Sequence, residues 1–178
     1  DQKPVLDYKK GKMAISAVPG AGKTTILLAL IIKLLNEGIN PENIFVLTYM
    51  ESAARNFRER IKNINPENSK LPNISTIHGL ALRILKDNSN FERLGLASDF
   101  EICDDSQRGS IVQRVASELK LKKNEIEDYD RAISVFKLCE GVVPNKISNV
   151  KIQKFLEFYK RYQEELKSQN FIDYDDML

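Results

Sequence analysis

The sequence predicts an α/β fold in which helices cover a parallel sheet, with a mainly α-helical insertion added to that core. Three observations predict it. Apolar strand-like segments alternate with helical ones over the first 87 residues, a glycine-containing loop joins the first such pair, and residues 88–168 carry helical patterns with few strand signals. We expect residues 1–87 to begin the sheet core, 88–168 to form the insertion, and 169–178 to return the chain toward the core.

The first strand and helix are predicted on either side of the loop. Met13 and Ile15 belong to an apolar run over Lys12–Ala17 that suits a buried strand. Residues 24–35 are mostly apolar, which indicates a buried helix, and Asn36 and Gly38 predict its end. Strand, loop and helix therefore follow one another in the order that a phosphate-binding loop requires.

The loop itself has the chemistry of a phosphate site. Gly20 and Gly22 let the backbone turn tightly and direct N–H groups at an anion, and the positive end of the next helix favours the same anion. The Lys23 ammonium can reach between the β- and γ-phosphates and offset their charge, and the Thr24 hydroxyl can ligate Mg²⁺. A glycine turn that binds nothing is the competing interpretation, because Ala17 stands where the strict pattern has glycine. The predicted nucleotide-binding residues of the loop are Ala17, Val18, Pro19, Gly20, Ala21, Gly22, Lys23 and Thr24.

Two further strand–helix pairs follow. Strands are predicted over Ile44–Thr48 and Asn73–Ile77, each followed by a helix, over Glu51–Ile61 and Leu80–Lys86. In a parallel sheet, ligands bind at the carboxyl ends of the strands, and polar side chains stand at these ends. They are Thr48, Tyr49, Thr76 and His78. A lone histidine is more often a core or turn residue, but its position at a strand end makes His78 a site candidate.

Composition bounds the other possibilities. The 178 residues are 42% hydrophobic, which suffices for one sizeable core with a small satellite domain. The net charge of +2 means that any nucleic-acid binding depends on local patches. Cys103 and Cys139 lie far apart and favour a reducing compartment over a disulfide framework. No apolar run reaches the roughly 18 residues of a membrane span, and no signal peptide is evident, so we expect a cytoplasmic protein without a membrane partner.

The second half of the chain is predicted to be helical. Helices are expected over Ser106–Leu121, residues 125–140 and Lys146–Ser168, the first of them capped near Asp104. One face of the last helix carries an apolar stripe, which indicates a buried core more than a surface for stacking bases. The stripe consists of Ile152, Phe155, Leu156, Tyr159, Tyr162 and Leu166. Asp173, Asp175 and Asp176 have the look of a paired-carboxylate site, but a turn and helix start is the preferred interpretation.

Three segments together resemble motifs I, Ia and Ib of the UvrD/Rep/PcrA-type superfamily 1 DNA helicases. They are Ala17–Thr24, then Thr48–Ala54 with Arg58, Arg60 and Ile61, then Ser75–Leu80 with Arg83. Gln2 stands where that family has a glutamine that recognises adenine, and Phe171–Leu178 is similar to the segment that ends the family's helical 1B insertion. The resemblance covers essentially the whole chain.

This resemblance implies a RecA-like P-loop NTPase core and an ATP-driven motor that moves 3′ to 5′ on single-stranded DNA and separates duplexes. It implies that Lys23 and Thr24 hold ATP and Mg²⁺, that Gln2 and Thr25 lie near the adenine, and that Thr48, Tyr49, Thr76 and His78 lie along the DNA. The implied partners are single-stranded and duplex DNA and the rest of the helicase chain, including a second RecA-like domain. Arg55, Arg58 and Arg60 either add phosphate contacts or form a solvated helix face.

The sequence departs from the family at two places. Met50, Glu51 and Ser52 replace a Thr-Asn-Lys segment, and a carboxylate at Glu51 would repel a DNA backbone. Thr25 stands where many relatives have an arginine that packs against the nucleotide base.

A second catalytic motif is missing. No apolar strand ends in Asp-Glu, the pair that this chemistry needs for magnesium and the attacking water; Phe100–Asp105 is the nearest imitation. We therefore expect an N-terminal fragment of a longer enzyme that binds nucleotide without hydrolysing it. A different P-loop enzyme such as a small kinase, and a non-enzymatic nucleotide- or DNA-binding module, are the alternatives.

Overall fold

The computed structural model describes residues 3–64, 66, 70–139 and 152–178. Within these ranges the helices are α1 (Lys3–Leu6), α2 (Lys23–Asn36), α3 (Glu51–Ile64), α4 (Ile77–Lys86), α5 (Asp105–Glu118), α6 (Lys123–Leu138) and α7 (Ile152–Ser168). The strands are β1 (Phe45–Thr48), β2 (Asn73–Thr76), β3 (Glu101–Ile102) and β4 (Phe171–Ile172). The fold is thus mixed but mostly helical, with small parallel sheets.

The chain divides into two compact units, Asp1–Gly79 and Leu80–Leu178. The domain boundaries predicted from the sequence, at 1–87, 88–168 and 169–178, stay a prediction.

The first unit is organised by a parallel pair of strands. β1 and β2 pair in register from Phe45 with Asn73 to Thr48 with Thr76, so both carboxyl ends lie side by side. The strands predicted over Ile44–Thr48 and Asn73–Ile77 are confirmed to within one residue. The helix α3 and the end of α2 beside Gly38 are also confirmed. Burial of apolar side chains, worth roughly 1.5–3 kcal/mol each, holds these elements together. The buried cluster comprises Leu28, Ile31, Leu35, Ile44, Ala54, Phe57, Ile61 and Ile74.

The strand predicted over Lys12–Ala17 is wrong. Residues 12–17 are irregular and exposed, with Met13 and Ile15 at 44% and 40% exposure. An extended segment becomes a strand only when a neighbour takes its backbone hydrogen bonds, and the strand pairs in the described ranges are β1 with β2 and β3 with β4. An apolar run alone was an insufficient signal.

The boundary between β2 and the next helix also differs from the prediction. β2 ends at Thr76 and α4 begins at Ile77, three residues before the predicted start at Leu80. The Thr76 hydroxyl accepts a hydrogen bond from the Gly79 N–H at 3.0 Å, which caps the first turn. His78 therefore lies on the first turn of a helix and not in a loop.

The second unit is built on α5, α6 and α7. Asp104 caps α5 in a reciprocal arrangement with Gln107, with both hydrogen bonds at 2.8 Å, which confirms the predicted cap. The larger buried cluster comprises Cys103, Ile111, Val112, Val115, Ala116, Tyr129, Ala132, Ile133, Phe155, Phe158, Tyr162 and Leu166. A smaller cluster, consisting of Phe91, Leu96, Phe100, Ile172 and Met177, includes residues close to the parallel pair β3–β4.

The apolar stripe of α7 is only partly the one predicted. Phe155, Tyr162 and Leu166 are buried as expected, but Ile152 and Leu156 are exposed. Phe158 replaces them on the buried face and contacts the ring of Tyr129, with centroids 5.4 Å apart. The predicted helix is confirmed over Ile152–Ser168, while residues 140 and 146–151 of the predicted helices lie outside the described ranges.

Candidate functional site

The loop before α2 has the backbone conformation that its glycines predicted. Gly20 and Gly22 have φ of 81° and 79°, in the left-handed region that other L-residues rarely adopt. Between them, the Ala21 N–H donates to the Val18 carbonyl at 3.2 Å and closes a tight turn. The chain thus reverses immediately before the first turn of α2, so the loop lies at the positive end of that helix.

Lys23 is the first residue of α2, and its side chain folds back into the loop. Its Nζ donates to the carbonyl oxygens of Ala17 at 2.6 Å and Val18 at 2.9 Å. The ammonium group is exposed, so it can leave these carbonyls for a stronger acceptor at the cost of two hydrogen bonds that water can replace. An anion above the loop would meet both this charge and the N–H groups of the helix end.

The other predicted nucleotide-binding residues flank Lys23 in the sequence. Ala17, Val18, Pro19, Thr24 and Thr25 are exposed. Thr25 also lines an apolar groove on α2 and α3 together with Leu28, Ala29 and Ile32. Gln2 lies outside the described residues.

The predicted DNA residues meet at the carboxyl ends of β1 and β2. Thr48 and Thr76 are register partners, and the ring of Tyr49 beyond them is 92% exposed. Both hydroxyls are used locally, because Thr48 donates to the Met50 carbonyl at 3.0 Å and Thr76 caps α4. His78, half buried, follows on α4. The exposed ring is the side chain here most accessible to a ligand.

The sequence left open whether Arg58 contacts a phosphate or lies on a solvated helix face, and the structure shows it bonded within the first unit. Its Nε and Nη2 donate to the Ile74 carbonyl of β2 at 3.2 and 2.8 Å, and its Nη1 donates to Glu51 Oε1 at 2.9 Å. Glu51 and Arg58 are seven residues apart, two turns of α3, so the pattern that signals the pair is i,i+7 and not the usual i,i+4. The carboxylate suspected of repelling DNA is therefore paired with a cation.

The second unit contains an ionic cluster, centred on the buried side chains of Asp173 and Lys137, that sequence reasoning missed. Its other members are the buried Tyr162 and the partly exposed Arg108, Asp175 and Asp176. Asp173 is 1% exposed, and its Oδ2 lies 2.6 Å from Lys137 Nζ and 3.7 Å from Arg108 Nη1. The Tyr162 hydroxyl donates to the same carboxylate at 2.8 Å. Arg108 also pairs with Asp175 at 3.1 Å, and Lys137 with Asp176 at 2.8 Å.

The charges of this cluster shift its pKa values. Burial acts to raise the pKa of Asp173, but the ion pair with Lys137 and the hydrogen bonds from Lys137 and Tyr162 outweigh it, so the pKa lies below its usual value. Burial, with the charge of Asp173, raises the pKa of Tyr162 and raises that of the neighbouring Cys103 from 9.0 to about 11.

The turn predicted at these aspartates is confirmed. The Asp176 N–H donates to Asp173 Oδ1 at 2.9 Å, and Asp175–Met177 form a short 3₁₀ helix. The cluster pairs each of these carboxylates with a cation, and no grouping of three or more His, Cys, Asp or Glu side chains suited to a metal ion occurs among the described residues. Nor does any helix in the described ranges have the length and apolar character needed to span a membrane.

The chain matches a known protein family along its whole length. The profile of the UvrD/REP helicase N-terminal domain matches residues 1–178, and the chain belongs to that family. The resemblance inferred from the three motifs is thereby confirmed.

Several relatives match along the whole chain. The ATP-dependent DNA helicase Rep of Buchnera aphidicola subsp. Baizongia pistaciae is 36% identical over 99% of this chain and 27% of its own length. The ATP-dependent DNA helicase PcrA of Leuconostoc citreum is 29% identical over 99% of this chain and 24% of its own length. A probable DNA helicase II homolog of Rickettsia felis is 29% identical, with 99% and 28% covered. The chain thus spans about a quarter of the length of these relatives.

Proposed function

We propose that this chain is the nucleotide-binding part of an ATP-dependent DNA helicase that moves 3′ to 5′ on single-stranded DNA. The observation that carries the proposal is the loop at Ala17–Thr24, where Lys23 lies against a left-handed glycine turn at the start of α2. It belongs to a chain that matches the UvrD/REP helicase family over its full length, and two relatives carry the name ATP-dependent DNA helicase.

In this proposal the core has the RecA-like P-loop fold, and each loop residue has one task. The backbone N–H groups at Gly20 and Gly22 receive the phosphates because no side chain blocks their approach at these glycines. Lys23 offsets the charge of the β- and γ-phosphates, and the exposed Thr24 hydroxyl is the ligand that the loop offers to Mg²⁺. The metal would neutralise charge on the phosphates during transfer. The proposal assigns Gln2 and Thr25 to recognition of the adenine.

The DNA path in the proposal runs across the carboxyl ends of β1 and β2. The exposed ring of Tyr49 offers a face on which any base can stack, which suits a motor that does not read sequence. Thr48, Thr76 and His78 lie beside it and supply backbone contacts. The partners are single-stranded and duplex DNA and the remainder of the helicase chain.

The same proposal places the acid that polarises water outside these 178 residues. The segment most similar to the missing motif ends in Asp104 and Asp105, which follow the short strand β3. Asp104 is engaged there as the cap of α5. The isolated chain should therefore bind ATP without turning it over, and steady hydrolysis by these residues alone, abolished by Lys23→Ala, would contradict this.

The deciding experiment measures ATP hydrolysis by the full-length protein with and without single-stranded DNA, beside Lys23→Ala. We expect DNA to raise the rate and Lys23→Ala to remove it. Duplexes with a 3′ or a 5′ single-stranded tail then test direction, and only the 3′-tailed substrate should be unwound. Hydrolysis that is indifferent to DNA would favour a different P-loop enzyme.

A further inference from the structure

The pair of Glu51 and Arg58 lies next to the strand ends where the proposed function puts DNA. Glu51 is the first residue of α3, two positions after the exposed ring of Tyr49. Arg58 reaches back along α3 to meet it, with Nη1 2.9 Å from the Glu51 carboxylate. A cation is therefore held at the first residue of α3, two positions along the chain from Tyr49, but its Nη1 is already occupied by the carboxylate.

The position of Arg58 is fixed independently of Glu51. Two of its nitrogens, Nε and Nη2, donate to the Ile74 carbonyl of β2 at 3.2 and 2.8 Å. The guanidinium is a planar fork, so fixing two nitrogens also fixes the direction of the third. Removal of the Glu51 carboxylate would thus leave Nη1 pointing at the same place.

The pair is open to exchange. The side chains of Arg58 and Glu51 are 35% and 56% exposed, so an anion from solvent can approach both. An ion pair this exposed contributes little to stability, whereas arginine forms strong charge-assisted hydrogen bonds to phosphate. A DNA phosphate can therefore displace the carboxylate, but it has to overcome both the existing pair and the repulsion from Glu51.

We propose that Glu51 is an internal competitor that occupies Arg58 in place of a DNA backbone phosphate, and so weakens the grip of this strand end on single-stranded DNA. The inference rests on the proposed function, since it assumes that DNA crosses the ends of β1 and β2. It assigns Arg58 to phosphate binding and gives Glu51 a physical role in setting affinity.

The test is a double-mutant cycle on the full-length protein, with a fluorescent oligo(dT) strand as the probe and its dissociation constant measured against salt. Glu51→Gln should bind roughly two- to fivefold more tightly, the factor that corresponds to up to about 1 kcal/mol. A plot of the logarithm of the binding constant against the logarithm of the salt concentration should also become steeper, by a slope of roughly 0.7. That is the slope expected for one more phosphate contact on a single strand. Arg58→Gln alone should weaken binding, because it leaves the Glu51 carboxylate unpaired beside the DNA, and it should cancel the gain in the Glu51→Gln background.

A matched control is available in the same unit. Glu42 pairs with Lys70 at 3.2 Å, both side chains are mostly exposed, and Glu42 precedes β1, at the opposite end of the strands. Glu42→Gln removes the same charge and should leave binding unchanged. Arg58→Lys, which keeps the charge without the fork, separates loss of the contact from loss of the fold, and it should also forfeit most of the gain when combined with Glu51→Gln.

Any one of the following results would overturn the inference. An equal effect of Glu51→Gln and Glu42→Gln would mean that only overall charge matters, and a gain that survives Arg58→Gln would exclude Arg58. Tighter binding of ATP rather than oligo(dT) by Glu51→Gln would assign the site to nucleotide phosphate. If Tyr49→Ala weakens DNA binding while Glu51→Gln does not alter it, the proposed function stands and this inference fails; absence of any DNA binding overturns both.

Discussion

The Nζ of Lys23 lies 2.6 Å from the carbonyl oxygen of Ala17, so the lysine that opens α2 is bonded to the first residue of its own loop. A second bond to the Val18 carbonyl at 2.9 Å makes the loop a ring closed by the side chain. The two bonds hold the ammonium against the residues that precede the left-handed turn at Gly20 and Gly22. Phosphate and carbonyl oxygens are alternative acceptors for the same ammonium. A bound phosphate can therefore replace the two carbonyl oxygens as the acceptor of its hydrogen bonds.

The hydroxyl of Thr24, the residue after Lys23, gives a first prediction. Thr24→Ala removes the hydroxyl that the loop offers to Mg²⁺, whereas Thr24→Ser keeps it. We expect Thr24→Ala to raise the Mg²⁺ concentration needed for half-maximal ATP hydrolysis by at least the roughly 10–100-fold that changes around a metal ligand cause. A Mg²⁺ titration of the full-length protein at saturating ATP and DNA measures this. Equal behaviour of the Ala and Ser variants would contradict the assignment.

The exposed aromatic ring of Tyr49, just beyond β1, gives a second prediction. Tyr49 is 92% exposed, so it contributes little to packing and its replacement should not disturb the fold. Tyr49→Ala should weaken binding of the full-length protein to single-stranded DNA by about 1–3 kcal/mol, the usual contribution of one base stacked on an aromatic side chain. Tyr49→Phe keeps the ring and is the control; we expect its affinity to stay within roughly twofold of the wild type. Fluorescence anisotropy with oligo(dT) distinguishes the two, and equal losses would mean that the hydroxyl, not the ring, binds.

Local signals in the sequence were sufficient to predict some elements of the fold but not others. The strands β1 and β2 and the helices α2 and α3 could be predicted because apolar periodicity and turn residues are local properties of the chain. The strand expected around Met13 and Ile15 could not be judged in that way, because a strand depends on a neighbour that local sequence does not specify.

The candidate site shows the same division. The conformation of the loop at Gly20 and Gly22 followed from its glycines, but the bond from Arg58 to the Ile74 carbonyl joins residues 16 positions apart. Lys137 and Asp173 are 36 positions apart, and nothing in their local sequences marks them as a buried pair. Long-range charge pairs of this kind are set by packing of whole helices, so they become visible only in the fold.

The ionic cluster around Asp173 in the second unit gives a third prediction. Asp173→Asn leaves Lys137 and Arg108, whose side chains are 4% and 18% exposed, with less compensation for their charge. Removing one partner of a buried ion pair typically costs about 3–5 kcal/mol. Hydrogen exchange of the α6 and α7 amides in the full-length protein should show a loss of local stability approaching this size. Glu127→Gln is the control, because its pair with Arg131 is mostly exposed and should contribute at most about 1 kcal/mol.

The pH dependence of the same carboxylate has a definite sign. Because the pKa of Asp173 is lowered from 3.8, its contribution to stability is fully present above about pH 3.8 and is lost as the pH falls through the folded-state pKa below that value. Asp173→Asn should therefore remove part of the acid sensitivity of α6 and α7 exchange in this range. Unchanged acid sensitivity in that variant would show that the ion pair with Lys137 does not control acid unfolding of the unit.

The two cysteines give the last prediction. Cys139 is exposed at the end of α6, whereas Cys103 is 2% exposed and burial raises its pKa from 9.0 to about 11. Since the thiolate is the reactive form, a maleimide at pH 8 should label Cys139 rapidly and leave Cys103 unlabelled until the second unit unfolds. Mass spectrometry of labelled peptides from the full-length protein, with Cys139→Ser as the control, measures both rates. The raised pKa also means that the contribution of Cys103 to stability, complete below pH 9.0, is lost as the pH rises toward about 11. Rapid labelling of Cys103 in the folded protein would show that the core around Tyr162 opens far more readily than its packing implies.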